Sequence, residues 1–177
     1  PRPEGELLVS QLADGTPVRL DRDAIVDRLQ RAIADLEGQG AAATLLLCTG
    51  EFPLFAHSRP LLVPSAALRG AVVGIAGDDR VAAMIPLPDQ AGQARCSWRR
   101  QGVSEPILVA ADPYGSEGEA QVECQARRAA QLGGRVLFLD CFGYTRRMAS
   151  LARDAFGGPV ILARSLSARL LAELAGA

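Results

Sequence analysis

Apolar positions along this chain alternate between short continuous runs and stretches in which they recur every three or four residues. Residues 7–20, LLVSQLADGTPVRL, hold two apolar-rich runs around Asp14-Gly15, a dipeptide that tolerates the positive φ of a tight turn, and they predict a β-hairpin. Asp21 is placed to cap a following helix whose Ile25, Val26, Leu29, Ile33 and Leu36 share one face, until Gly38 and Gly40 stop it. Residues 43–48, ATLLLC, form an apolar run of strand length, as expected for a strand covered on both faces. Leu61 to Val63 is a short apolar piece, and Ser65 is placed to cap a helix carrying Leu68, Val72 and Ile75.

From residue 80 the alternation is regular. Strand 80–85 leads into a helix near 89–101, strand 106–111 into a helix near 117–132, strand 135–140 follows Gly133-Gly134, and strand 159–163 precedes a helix over 165–175. Ser116-x-x-Glu119 has the form of a capping box for the helix near 117. Apolar strands alternating with amphipathic helices predict an α/β fold, a parallel sheet layered between helices, with the hairpin at its amino end.

Composition narrows the function classes. The 177 residues are 49% apolar and 22% charged, with 19 basic against 20 acidic side chains, which describes a folded chain able to build its own core and excludes intrinsic disorder. A formal net charge of −1 without a basic segment predicts no nucleic-acid partner. No apolar run reaches the ~18 residues that span a bilayer, and the first ten residues do not read as a signal peptide, so the expectation is a cytoplasmic protein without membrane association. Every basic residue is arginine, which excludes chemistry that needs a lysine amine, such as a Schiff base. Cys48, Cys96, Cys124 and Cys141 form no CxxC, and the single histidine, His57, pairs with none of them, so neither a metal nor another cofactor is predicted.

In a parallel α/β sheet ligands bind beyond the carboxyl ends of the strands. Two strand ends share a pattern there: LLLCTG and LFLDCFG each place a thiol at the tip and a glycine two residues on, where backbone amides can approach an anion. Cys48 and Cys141 are therefore the candidate reactive groups. Thr49, Gly50 and Glu51 beside the first, Gly143, Tyr144 and Thr145 beside the second, and Ser165 at the head of the last helix are the candidate substrate-binding residues. Cys96 and Cys124, in helical stretches without that flanking pattern, read as structural, Trp98 as a partly exposed packing residue, and Asp140 as a carboxylate that needs a partner if buried.

LLLCTGEF at 45–52, LLVPSAALRG at 61–70, VLFLDCFGYT at 136–145 and PVILARSLSARLLAEL at 159–174 together resemble the AroM family, through most of the chain. Family members normally begin with a further strand and glycine-containing loop, so the resemblance implies a first βα unit outside this chain. That family is in turn similar to the aspartate/glutamate/hydantoin racemase superfamily, whose members have two α/β lobes with a cleft between them and one cysteine from a strand tip of each. The resemblance implies lobes at about 1–60 plus 157–177 and 64–156, and a cofactor-independent racemase or isomerase that acts on a small carboxylated substrate through Cys48 and Cys141. The chain departs from that superfamily where it has Phe142-Gly143 in place of threonine and histidine after the second cysteine. A catalytically inactive protein that binds a small anionic metabolite, with a regulatory link to aromatic amino-acid metabolism, is the alternative. A subunit that dimerises through its helices remains a third, and a homodimer is compatible with each.

Overall fold

The computed structural model describes residues 6–176 and divides the chain into two compact units, one built from the residues up to Ser65 together with those from Ser167, the other from Ala66–Leu166. In the first unit β1 (Leu7–Gln11) and β2 (Pro17–Asp21) pair antiparallel, with Gly15 at φ 88° in the turn. The Asp21 carboxylate accepts from the amide of Asp23 and so caps a single 3-10 turn, Arg22–Ala24, before α1 (Val26–Gly38). From α1, Gln30 exchanges two 2.8 Å hydrogen bonds with the Ala56 backbone, and the Glu37 carboxylate accepts from the amides of Ser58 and Arg59 and the Ser58 hydroxyl. These amide and hydroxyl donors hold the Glu37 carboxyl below the usual range.

The run at 43–48 does not form the doubly covered strand its composition predicts. Only β3 (Thr44–Leu45) is laddered, parallel to β4 (Leu61–Leu62), and Leu47 is 69% exposed. The cause is local. After Leu45 the backbone tightens, with the amide of Cys48 donating to the carbonyl of Leu46 two residues back, and this turns the following residues out of the strand path.

The second unit carries a four-stranded parallel sheet in the order β6-β5-β7-β8, with β5 (Val81–Ile85), β6 (Ile107–Ala110), β7 (Val136–Leu139) and β8 (Val160–Leu162). Each parallel step is made through a helix: α3 (Ala91–Arg100), α4 (Gly118–Gln131) and α5 (Arg146–Phe156). The central strands β5 and β7 are buried at every position, whereas β6 and β8 alternate, since strands with one neighbour are covered less completely. β8 pairs with β7 and so belongs to the second unit, while the sequence division placed residues from 157 with the first. The chain leaves β8 directly into α6 (Ala163–Ala175).

Several local expectations are corrected here. α2 (Pro64–Ala76) starts on a proline, whose fixed φ suits a first helical position, so Ser65 lies inside the helix and does not cap it. Its buried stripe is Leu68, Val72 and Ala76, spaced by four, with Arg69 beside it, while Ile75 is 61% exposed. The Ser116/Glu119 capping box does not form. The cap position is Glu117, without a side-chain hydrogen bond, and Glu119 instead bridges to Arg147 of α5 at 2.8 Å. α5, unforeseen from the sequence, is capped by Thr145 and buries Met148, Ala149, Ala152 and Phe156, before Gly157 ends it at φ 71°. Trp98 is fully buried, because its ring meets Phe138 of β7 edge-on at 5.9 Å and the Arg69 guanidinium at 6.0 Å.

Candidate active site

The sheet of the second unit reverses direction between β5 and β7: the chain steps outward from β5 to β6, then crosses back to β7 and on to β8. In parallel sheets this reversal opens a crevice at the carboxyl ends of the two strands involved. The amide of Asp140 donates to the carbonyl of Met84 at 2.9 Å, which carries the β7 ladder one residue past its end and sets Cys141 just beyond it. Cys141 is 8% exposed, and its Sγ accepts from the amide of Gly143 at 3.3 Å.

Groups from four elements hold this loop. The Asp140 carboxylate is 3.1 Å from Nη2 of Arg69 on α2, and both side chains are nearly enclosed, at 3% and 7% exposure. The Phe142 carbonyl accepts from Nε of Arg164 at 3.1 Å and from its Nη2. Over Gly143 lie the Pro113 ring and the Tyr114 phenol, 2.7 Å from where a Cβ would stand, so only glycine fits. Tyr114 is set there by a local turn in which its amide donates to Asp112 Oδ1, while the amide of Asp112 donates to Gln121 of α4.

The neighbouring candidates are drawn into the framework. Tyr144 is fully buried, its hydroxyl donates to the Ala111 carbonyl at 2.7 Å, and burial pushes its pKa well up, assisted by Cys141, Asp140 and Asp112. Thr145 Oγ1 accepts from the amide of Met148 as the α5 cap. Ser165 is the third residue of α6, not its cap, because that helix begins at Ala163 with no intervening loop.

In the first unit a second loop has the same local form. Cys48 is half-buried and its Sγ accepts from the amide of Gly50 at 3.4 Å, with Thr49 buried between them. A Cβ on Gly50 would stand 2.6 Å from Leu8 Cδ2, and 3.4 Å from both Cys48 Sγ and Glu6 Oε1. The amide of Glu51 donates to Glu6 Oε1 at 2.7 Å, and Arg22 Nη1 reaches Glu6 Oε2 at 2.9 Å and the Glu51 carbonyl at 3.4 Å. Burial raises the pKa of Glu6, against the opposing pull of the Glu51 amide and Arg22. Cys96 and Cys124 are exposed on α3 and α4.

An amide aimed at sulfur favours the thiolate, and two residues of loop suffice to deliver it. Among the described residues no group of three or more His, Cys, Asp and Glu could hold a metal, and no helix is long and apolar enough to cross a membrane. A cavity of about 430 Å³ in the second unit lies at the opposite ends of β7 and β8, lined by Arg135, Val136, Phe156 and Pro159 among others, away from the crevice end of the sheet.

Sequence reasoning did not single out Glu6, Arg22, Arg69, Tyr114 or Arg164. Arg69 had a signal, because a charged residue next to Leu68, three before Val72 and seven before Ala76 lies on the apolar stripe and needs a buried counter-charge. Glu6 had none, since its proximity to Gly50 depends on the fold of the hairpin.

The sequence model of the AroM protein family matches residues 1–175. No curated protein sequence matches the chain. Among solved structures it is similar to an aspartate racemase of Picrophilus torridus (15% identity, TM-score 0.63, covering 85% of this chain and 69% of that one). It is also similar to an arylmalonate decarboxylase (20%, 0.66, 87% and 76%) and to the glutamate racemase isoform RacE1 of Bacillus anthracis (11%, 0.60, 87% and 65%). At such identities the likeness is one of fold.

Proposed function

This chain belongs to the AroM family, and from that premise we propose that it is a cofactor-independent racemase or isomerase of a small carboxylated substrate, with Cys48 and Cys141 as its acid–base pair. The observation that carries the reading is the repeated loop: a cysteine whose sulfur accepts the amide of a glycine two residues on, at 3.4 Å in one unit and 3.3 Å in the other. Neither of the remaining cysteines, both exposed on helices, sits in such a loop. The racemases and the decarboxylase that share the fold are named for reactions at a carbon next to a carboxylate, which supports the same substrate class here.

The chemistry needs two groups. One thiolate takes the proton from the carbon next to the carboxylate, and the bonding pair stays on the substrate as an enolate. The second thiol delivers a proton to the opposite face and becomes the thiolate. No electrons leave the system, and each turnover exchanges the roles of the two sulfurs. Thiols suit this because their ordinary pKa of ~8.5 lies close enough to neutrality for donors to tip either way.

The test is incubation in D₂O with a panel of amino acids, hydroxy acids and hydantoins, following the α-proton signal by NMR. Loss of signal for one class is expected, and Cys48→Ser or Cys141→Ser should abolish turnover of one or both enantiomers, because a hydroxyl is too weak an acid to be populated as the base. If no compound exchanges while a carboxylate raises the melting temperature through binding to the folded chain, the proposal fails and an anion-binding role takes its place.

A further inference from the structure

The two loops share a backbone form and differ in what stands beside the glycine. At Gly143 it is the Pro113 ring and the Tyr114 phenol, both uncharged groups. At Gly50 Leu8 Cδ2 stands nearest, 2.6 Å from where a Cβ would be, and the Glu6 carboxylate comes next, its Oε1 3.4 Å from that point, the same distance as Cys48 Sγ. Glu6 is also the anchor of that loop. One oxygen accepts the Glu51 amide and the other the Arg22 guanidinium, with the carboxylate 10% exposed.

We infer that Glu6 is a positioning residue for Cys48: it ties the loop to the hairpin and, by its negative charge, holds Cys48 as the neutral thiol, leaving Cys141 to supply the resting thiolate. The inference rests on the acid–base reading above and assigns the two roles within it. A like charge within a few ångströms disfavours a second anion, commonly by one to several pKa units, about 1–3. Glu6 in turn feels the Glu51 carboxylate on one side of the balance and Arg22 on the other, with Arg22 shared at 2.7 Å by exposed Asp23. Around Cys141 the Asp140 charge is met by Arg69, and Asp112 accepts the Tyr114 amide. Cys48 has a carboxylate among the nearest groups at its own loop glycine, where Cys141 has the Pro113 ring and the Tyr114 phenol.

The experiment is the pH dependence of iodoacetamide labelling at each cysteine, resolved by mass spectrometry on the full chain, over a range bracketing the ordinary thiol pKa of ~8.5. In the unaltered chain the Cys141 midpoint is expected below that of Cys48. Glu6→Gln keeps an acceptor for the Glu51 amide and removes the charge, and it should lower the Cys48 midpoint by about one pH unit. Arg22→Met should raise it, Glu6→Asp should leave it near its original value, and Cys141 should not move in any of them. Simple loosening of the loop would speed labelling in all variants without opposed shifts in midpoint. A midpoint unmoved or raised by Glu6→Gln, shifts of the same sign in the Glu6→Gln and Arg22→Met variants, or Cys141 titrating above Cys48 would each overturn the inference. No substrate is needed, so the two readings fail separately: opposed shifts without α-proton exchange overturn the catalytic reading alone, and exchange with unmoved midpoints overturns the role of Glu6 alone.

Discussion

Replacing Arg69 by methionine removes the cation that faces Asp140 and leaves a carboxylate at 3% exposure beside the Cys141 loop. Methionine keeps the length and apolar stem of the side chain, so packing against Trp98 is largely preserved and the measured effect is mainly that of charge. Breaking one partner of an enclosed ion pair costs about 3–5 kcal/mol, a large share of a total stability of roughly 5–15 kcal/mol. With a urea slope of about 2 kcal/mol per molar, that loss lowers the unfolding midpoint by roughly 1.5–2.5 M. The probe is built in. Trp98 is the only tryptophan and is fully buried between Arg69 and Phe138, so its emission reports unfolding of the second unit. Asp140→Asn should cost a comparable amount by removing the carboxylate that faces the guanidinium. The double variant should lose less than the sum of the two, by about 2 kcal/mol or more, because the attraction between the two charges is already lost in either single variant and cannot be lost twice. Single losses under about 1 kcal/mol, or additivity within about 0.5 kcal/mol, would refute the reasoning and describe the pair as solvated.

The regular part of the fold was legible because its physics is local. β5 and β7 are apolar at each buried position and the helices between strands carry a single apolar face, so period alone separates them. α5 carries the same signals, Thr145 as cap, Met148, Ala152 and Phe156 spaced by four, and Gly157 as terminator, but a buried face that is half alanine makes only a weak apolar stripe. The run at 43–48 misled for the opposite reason. Composition reports how apolar a segment is, and the turn at Leu46–Cys48 that exposes Leu47 is made by backbone hydrogen bonding that composition does not encode.

At the candidate site the thiols and their glycines were legible, and the groups that tune them were not. A cysteine followed two residues later by glycine at the end of an apolar run is a local statement, and both loops have that form in the structure. The tuning groups come from afar: Arg69 lies 71 residues before Asp140, and Glu6 lies 45 before Glu51. Tyr144 shows the converse. Its place beside Cys141 in sequence marked it as a donor to substrate, while the fold turns its hydroxyl to the carbonyl of Ala111 at the end of β6.

Gly143→Ala drives a methyl against Pro113 and Tyr114 at 2.7 Å and should lower stability by about 1–3 kcal/mol while speeding alkylation of Cys141, whereas Gly92→Ala, with open space around it in α3, should be neutral or stabilising. Unchanged thermal melting and Cys141 labelling in the first variant would show that the phenol does not cover the loop. Tyr144 gives a prediction with a sign. Its folded pKa is raised well above 10.0, chiefly by burial, while in the unfolded chain it ionises near its ordinary value. Below pH ~10 both states hold the proton and stability is indifferent to it. Above that the unfolded state releases it first, so the contribution of the buried hydroxyl is lost progressively as pH rises. Tyr144→Phe removes both this titration and the hydrogen bond to Ala111, leaving a buried carbonyl short of a donor at a cost of about 1–3 kcal/mol. Urea midpoints followed upward from neutral pH should therefore start lower in the phenylalanine variant and converge with the original chain as the pH passes ~10, since only the original has a phenol to ionise on unfolding. A gap that stays constant through that range would mean that Tyr144 ionises equally in both states, and the hydroxyl could not then be enclosed at the end of β6.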